Sequence, residues 1–140
     1  MKKTIKPASC SSASIQNNSR VLVIGGDHEN TLASVRALGL AGIDFDLLIH
    51  SGKSCGKSSV FASKYAPVPI YAEGSYDSIY KAVKAWLGDS DPADCLLMPS
   101  SDLSALVIDE RFRPLGVKTS GFLGDEWRIC DLMDKHAQSQ

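Results

Sequence analysis

The sequence predicts an α/β fold with a doubly wound, mostly parallel sheet in three layers. Short apolar runs at 21–24 and 95–98, and the mostly apolar stretch 45–49, are typical of strands that are buried on both faces. Between these runs lie stretches whose apolar residues recur at helical spacing. The alternation of buried strands with amphipathic helices predicts helices on both faces of a parallel sheet.

The first strand, Val21–Ile24, ends at Gly25 and Gly26, and a helix follows. We expect this helix to pack on the sheet through one apolar face, formed by Leu32, Val35 and Leu38. Small residues are expected to let it approach the sheet closely: Ala33, Ala37 and Ala41. Gly42 suits the position just beyond a helix end. The second strand, Phe45–Ile49, completes a crossover that should be right-handed.

The second half of the chain repeats the alternation. A Gly/Ser/Lys loop is predicted over 50–64, with one helical turn at Ser58–Ser63. Pro67 and Pro69 place the stretch Ala66–Ile70 at a sheet edge or at the start of a strand. Ser75 and Gly88 bracket a helix with apolar residues at Tyr76, Ile79, Tyr80, Val83, Trp86 and Leu87. After the turn at Asp91–Pro92 come the strand Cys95–Met98 and a helix holding Leu103, Leu106, Val107 and Glu110.

Composition indicates one globular domain without a strongly charged surface. The chain has 140 residues, 44% of them hydrophobic, and its 15 Lys and Arg nearly balance its 16 Asp and Glu. This balance removes the electrostatic argument for binding nucleic acid or an anionic membrane. No apolar run approaches the roughly 20 residues needed to cross a bilayer. We therefore expect a soluble, cytoplasmic protein.

The expected organisation has three parts. Residues 1–19 are rich in Ser, Lys and Asn and lack periodic apolar content, so they are predicted to form a flexible arm. Residues 20–124 form the folded domain, and 125–140 read as the start of a helix that leads into a further, absent domain. The widely spaced cysteines are expected to be reduced thiols, with Cys95 and Cys130 in the core: Cys10, Cys55, Cys95 and Cys130.

A ligand site is expected where the parallel strands end, because loops and helix N-termini converge there. The two junctions that stand out are 25–30 and 99–102. Gly25 and Gly26 allow a sharp turn that exposes amides at the positive end of a helix, which suits an anionic or carboxylate ligand. The loop fails the dinucleotide fingerprint, because Asp27 and Asn30 stand where glycines are required. A phosphate-binding Walker loop is excluded as well, since Gly56-Lys57-Ser58 lacks the upstream glycine and strand.

Each candidate residue also has a structural interpretation. Glu29 can accept hydrogen bonds from a substrate amine or hydroxyl, whereas Asp27 or Asn30 would only cap the helix. Ser101 and Asp102 are substrate-side candidates, and Ser100, Ser101 and Asp102 are otherwise first-turn capping residues of the later helix. His50 ends the second strand, where a site is expected, but a lone loop histidine more often faces solvent. No catalytic set and no metal cluster is specified by spacing.

Four segments, taken in order, resemble a known family: 21–26, Glu29-Asn30, 97–102 and 132–135, which read VLVIGG, EN, LMPSSD and LMDK. They resemble the N-terminal pre-ATP-grasp domain of ATP-grasp ligases, in the branch of carbamoyl-phosphate-synthase-like and carboxylate–amine ligases. The similarity runs from about Arg20 to the last residue. It implies a Rossmann-like three-layer domain.

The resemblance also implies a chemistry. Such ligases phosphorylate a carboxylate with ATP and Mg²⁺, and an amine then displaces phosphate from the acyl phosphate. The first domain forms one wall of the cleft, which makes Gly25, Gly26, Glu29, Ser101 and Asp102 substrate-binding candidates. Lys135 corresponds to a lysine that can contact ATP, and otherwise it is an ordinary surface lysine. The subdomains that hold ATP and Mg²⁺ in the family have no counterpart here, so this chain alone is not expected to be catalytic.

Two hypotheses follow. The first is a substrate-side domain of an ATP-dependent ligase, with a small carboxylate or amine as substrate and an ATP-grasp domain supplied in cis or in trans. Surface left uncovered by that domain would favour homo-oligomers. The alternative is a stand-alone Rossmann-like module that binds a nucleotide or small anion at the 25–30 loop without chemistry.

Overall fold

A computed structural model of the chain describes residues 19–26, 29–50 and 60–120. Its strands are β1 (Arg20–Gly25), β2 (Asp46–His50), β3 (Ile70–Ala72), β4 (Cys95–Pro99) and β5 (Lys118–Thr119). Its α-helices are α1 (Glu29–Leu40), α2 (Val60–Tyr65), α3 (Tyr76–Leu87) and α4 (Asp102–Arg111). The strands form one parallel sheet in the order β3-β2-β1-β4-β5. The predicted α/β class with a parallel sheet is confirmed.

The sheet separates two hydrophobic layers, because successive side chains of a strand point to opposite faces. Leu22 and Ile24 of β1 pack with residues of α3 and α4, among them Val83 and Ile108. On the other face Val21 and Val23 pack with Val35 of α1 and Ala62 of α2. Leu22, Val23 and Ile24 are fully buried, and each such side chain contributes about 1.5–3 kcal/mol. The domain is therefore doubly wound, in three layers.

Helix ends follow the capping residues. Beyond α1, Gly42 has φ +68°, and the amides of Gly42 and Ile43 donate to the carbonyls of Gly39 and Leu38, which is a Schellman ending. The Ser75 hydroxyl accepts from the Ser78 amide at 3.3 Å and begins α3, while Gly88 ends it with φ 52°. The predictions for Gly42, Ser75 and Gly88 are confirmed.

The close contact between α1 and α2 is made at a residue that the alanine pattern did not indicate. Ala33, Ala37 and Ala41 are exposed, so the prediction that they face the sheet is wrong. Gly39 is buried instead, and a Cβ there would lie 2.3 Å from the ring of Phe61 in α2. The absence of a side chain at Gly39 therefore lets α2 pack against α1.

Several boundaries differ from the predictions. β3 begins at Ile70, just after Pro67 and Pro69, because proline has no amide hydrogen for the ladder. It lies at the sheet edge, as predicted. The helical turn predicted at Ser58–Ser63 corresponds to α2, which runs to Tyr65. β5 has only two residues at the opposite edge, too few to produce a sequence pattern.

Some predictions fall on residues outside the described ranges. They concern the arm up to residue 18, the helix at 125–140 with Lys135, the loop at 51–59, and Cys10, Cys55 and Cys130. Cys95 is described and is buried, as expected. Within the described ranges, no helix combines the length and the apolar character that spanning a membrane requires.

Candidate functional site

The two junctions selected from sequence lie side by side at the carboxyl edge of the sheet. β1 and β4 are neighbours, with Ile24 opposite Pro99, and the Ser100 amide donates to the Ile24 carbonyl at 2.9 Å. From β1 the chain proceeds to β2 and β3 on one side, and it then returns to β4 on the other side of β1. The loops after β1 and β4 thus diverge at a topological switch point, where open α/β sheets bind ligands.

Beneath this edge, buried hydroxyls hold the two junctions together. The Ser100 hydroxyl donates to the Ile24 carbonyl at 3.0 Å, and it lies 2.8 Å from the Thr31 hydroxyl. Thr31 in turn contacts the Gly26 carbonyl at 3.2 Å. The first turn of α1 is therefore joined to the end of β4 through side chains that exclude water.

Gly25 is required by this packing. A Cβ at Gly25 would lie 2.0 Å from the Thr31 hydroxyl oxygen and 2.4 Å from that of Ser100, distances that no side chain can occupy. Gly25 and Gly26 are both buried. Thr31 was missed by sequence reasoning, although its spacing from Val35 and Leu38 places it on the buried face of α1.

Ser101 is the N-cap of α4. Its hydroxyl accepts from the Ser104 amide at 3.2 Å, and its own amide donates to the Ser104 hydroxyl at 3.1 Å. This reciprocal capping box satisfies two amides of the first turn, which confirms the capping interpretation of Ser101. Ser101 as a residue is half-buried and lies at the carboxyl edge.

His50 is a second residue of this edge that sequence reasoning undervalued. Its Nε2 lies 2.9 Å from the Ser101 hydroxyl oxygen, and only 5% of the residue is exposed. The interpretation of His50 as a solvent-facing histidine is therefore wrong. The signal was its place directly after the buried run of β2, where a polar residue remains in the interior.

The acidic candidates lie at helix starts. Glu29 is the first residue of α1, Asp102 is the first residue of α4, and both are exposed. A carboxylate at this position interacts favourably with the positive end of the helix dipole. Asn30 lies inside the first turn of α1, so its predicted capping role is wrong. Glu29 and Asp102 put acceptors for an amine or hydroxyl on the same edge as Ser101.

A shallow pocket of about 200 Å³ lies at the opposite, amino-terminal edge of the sheet. Its lining includes Arg20, Asp44, Asp46 and Tyr65. Arg20 donates to the Trp86 carbonyl at 2.8 Å, and Asp46 accepts from the Trp86 indole at 2.7 Å. These groups form hydrogen bonds that join α3 to the sheet, so their role is structural. We therefore assign the candidate site to the carboxyl edge.

Within residues 19–26, 29–50 and 60–120, no three His, Cys, Asp or Glu side chains are grouped so that they could hold a metal ion. Comparisons of the chain with protein-family models, curated proteins and solved structures return no match. The fold and the geometry of the switch point are thus the basis for assigning a function.

Proposed function

We propose that this chain is the substrate-side N-terminal domain of an ATP-dependent, ADP-forming carboxylate–amine-type ligase. The observation that carries the proposal is the convergence of Gly25–Gly26 and Ser100–Asp102 on one switch point. These are two of the segments on which the resemblance to pre-ATP-grasp domains rests. Their adjacency supports a single substrate-binding wall made from residues that are far apart in sequence.

The described polar groups suit binding and orientation. The Ser101 hydroxyl can donate a hydrogen bond, while the exposed carboxylates of Glu29 and Asp102 can accept from an amine or hydroxyl. A ligand with both an oxyanion and an amino group would use both kinds of contact. Such contacts hold a substrate in place for a reaction whose energy comes from elsewhere.

The phosphoryl-transfer part is proposed to reside in an ATP-grasp domain in cis or in trans. ATP and Mg²⁺ supply the activation of the carboxylate when they are bound there, and Lys135 is the residue of this chain proposed to contact ATP. Phosphoryl transfer needs metal ions and positioned donors to neutralise developing charge. The residues around the switch point are a poor fit to that task, since they comprise hydroxyls, an imidazole and acids. We propose no catalytic residue in this chain.

The test uses a carboxylate substrate labelled with ¹⁸O. The chain is combined with the ATP-grasp domain encoded beside or downstream of it, then supplied with ATP, Mg²⁺ and candidate carboxylates and amines. An acyl phosphate route transfers one ¹⁸O into the released phosphate, which mass spectrometry detects. The isolated chain should release no phosphate.

Two results would overturn the proposal. One is ligation by the isolated chain, and the other is phosphate release without ¹⁸O transfer in the combined system. Nucleotide affinity of the isolated chain in calorimetry would instead support the stand-alone binding module. A matched control, Ser75→Ala, removes the N-cap of α3 without altering the switch point, so it should ligate as the wild type does.

A further inference from the structure

His50 is a polar residue at the buried end of an apolar strand. Leu47, Leu48 and Ile49 precede it and are at most 1% exposed, and His50 itself is 5% exposed. Burying an imidazole costs more desolvation free energy than burying an aliphatic side chain. An aliphatic residue would therefore serve the core better, so packing alone does not explain His50.

The imidazole spans the end of the central strand. β2 and β4 lie on opposite sides of β1, yet Nε2 of His50 in β2 reaches the hydroxyl of Ser101, which follows β4, at 2.9 Å. The strands are level there, with Gly25 opposite Ile49 and Ile24 opposite Pro99. The imidazole of His50 therefore crosses the end of β1 to reach Ser101.

The bond from His50 is additional to what the helix requires. Ser101 and Ser104 already form the reciprocal capping box of α4. Ser75 caps α3 with the equivalent bond from the Ser78 amide, at 3.3 Å. A serine N-cap thus performs its structural role through the amide three residues ahead, and the imidazole contact calls for another explanation.

The hydrogen bond with His50 limits which hydrogen bonds the Ser101 hydroxyl can form with other groups. If Nε2–H donates to the Ser101 hydroxyl oxygen, that oxygen accepts from both His50 and the Ser104 amide, and both of its lone pairs are used. The hydroxyl can then only donate. Its hydrogen is directed to the Ser104 hydroxyl at 2.8 Å, and rotation redirects it to an acceptor that arrives at the carboxyl edge.

We propose that His50 is a positioning residue that commits the Ser101 hydroxyl to donate to an oxyanion oxygen of the substrate. This oxygen belongs to a carboxylate or a phosphate group, both of which present the same kind of hydrogen-bond acceptor. The inference rests on the proposed function, which places a substrate at this edge. Because Glu29 and Asp102 carry negative charge on the same edge, selection depends on the hydrogen bond and not on net charge.

The first experiment observes His50 directly in the full chain. Histidine labelled with ¹⁵N reports which ring nitrogen carries hydrogen, and the His50→Gln spectrum assigns the resonance. We expect hydrogen on Nε2 in the free protein. Acetate and inorganic phosphate, titrated separately at constant ionic strength, should shift the His50 ring and Ser101 amide signals, whereas acetamide and chloride should not. The stronger of the two responses identifies the source of the oxyanion.

Variants separate positioning from structure. His50→Met removes the donor and preserves most of the volume. It should weaken binding of the effective anion by up to about tenfold, because the Ser101 hydroxyl, whose hydrogen bond to a charged group is worth about that much, is no longer committed to donate. His50→Gln keeps an N–H donor in the place of Nε2 and should retain most of the affinity. Ser101→Ala should lose binding as His50→Met does. Ser75→Ala, which also removes a serine N-cap, should lose about as much stability as Ser101→Ala and should bind the anion as tightly as the wild type does.

The inference is overturned if neither anion shifts the His50 signals, or if His50→Met binds the anion as tightly as the wild type does. The first of these measurements uses wild-type protein, so it is decisive even if a variant proves unstable. Oxyanion binding that depends on His50, in a system that shows no ¹⁸O transfer, sustains the inference and rejects the ligase proposal.

Discussion

At the scale of single residues, the switch point depends on the absence of a side chain at Gly25 as well as on the hydroxyls of Thr31 and Ser100. The hydroxyls of Thr31 and Ser100 occupy the space that a side chain at Gly25 would need. They satisfy each other and the carbonyls of Ile24 and Gly26. The hydroxyl cluster and Gly25 therefore form one unit, and a change in either disturbs the other.

Gly25→Ala should lower the free energy of unfolding by about 1–3 kcal/mol or more, because the new methyl group overpacks a buried site. Chemical denaturation measures the loss. Adding Thr31→Ala to Gly25→Ala removes the nearest clashing atoms, so the double variant should lose less than the sum of the single losses. Strict additivity would contradict the packing role of Gly25.

Cys95 should react slowly in the folded chain. Burial raises the pKa of its thiol, so the nucleophilic thiolate is scarce. We expect alkylation of Cys95 by iodoacetamide to be about tenfold slower, or more, than in urea, as read by mass spectrometry of the Cys95 peptide.

The raised pKa of Cys95 also affects stability at alkaline pH. Above the ordinary thiol pKa of about 8.5, the unfolded chain loses this proton while the folded chain keeps it, so stability falls as pH rises. Cys95→Ala should show a smaller alkaline loss than the wild type. An equal loss would show that the thiol plays no part.

At the scale of elements, α3 is held to the sheet at its C-terminal end by Trp86. The indole donates to Asp46 of β2 at 2.7 Å, and the guanidinium of Arg20 in β1 lies 4.1 Å from the ring centroid. Arg20 also donates to the Trp86 carbonyl and to the Ser90 hydroxyl, both at 2.8 Å. One aromatic side chain thus links the helix to the starts of two strands.

Trp86→Phe should lower the free energy of unfolding by about 1–3 kcal/mol, because it removes the indole donor and leaves Asp46 without that bond. Asp46→Asn keeps an acceptor oxygen and should cost less. Thermal and chemical denaturation compare the two variants. Asp77→Asn breaks the exposed pair with Lys81 and serves as the control, with an effect within about 0.5 kcal/mol. A larger loss in Asp46→Asn than in Trp86→Phe would contradict this account.

At the scale of the whole molecule, adjacent residues of β1 support different layers. Leu22 packs with α3 and α4, while Val23 packs with α1 and α2. Both are fully buried, and β1 is hydrogen-bonded on both sides. Both layers therefore pack on the same central strand, and neither layer has a strand of its own that could replace β1.

Leu22→Ala should cost about 2–5 kcal/mol, and Val23→Ala should cost less because fewer atoms are removed. Both variants should unfold in a single transition seen equally by far-ultraviolet circular dichroism and by tryptophan fluorescence, since loss of β1 removes both layers. Val68→Ala, at a residue that is 85% exposed, is the control and should be neutral. Separate transitions for the two probes would show that the layers unfold independently.

Local patterns were sufficient for the class of fold and for most elements. Short, largely apolar segments identified the strands 20–25, 46–50 and 95–99, and serine and glycine caps placed the ends of α3. These signals act over a few residues, because strand burial, helical periodicity and capping each depend on near neighbours in sequence. The same rule selected the two junctions of the candidate site, since each follows an apolar strand.

Tertiary structure alone decided which residues meet. The order of the strands brings Gly25 next to Ser100 and carries His50 across β1 to Ser101, over separations that no local pattern encodes. It also turned Ala33 and Ala37 to solvent and assigned close approach to Gly39, because the position of α2 determines which face of α1 is covered. The sequence by itself thus determined most of the elements and the edge at which a site would lie. The partners within that site depend on long-range packing, in which the sheet brings together residues such as Ile24 and Ser104, which are 80 positions apart.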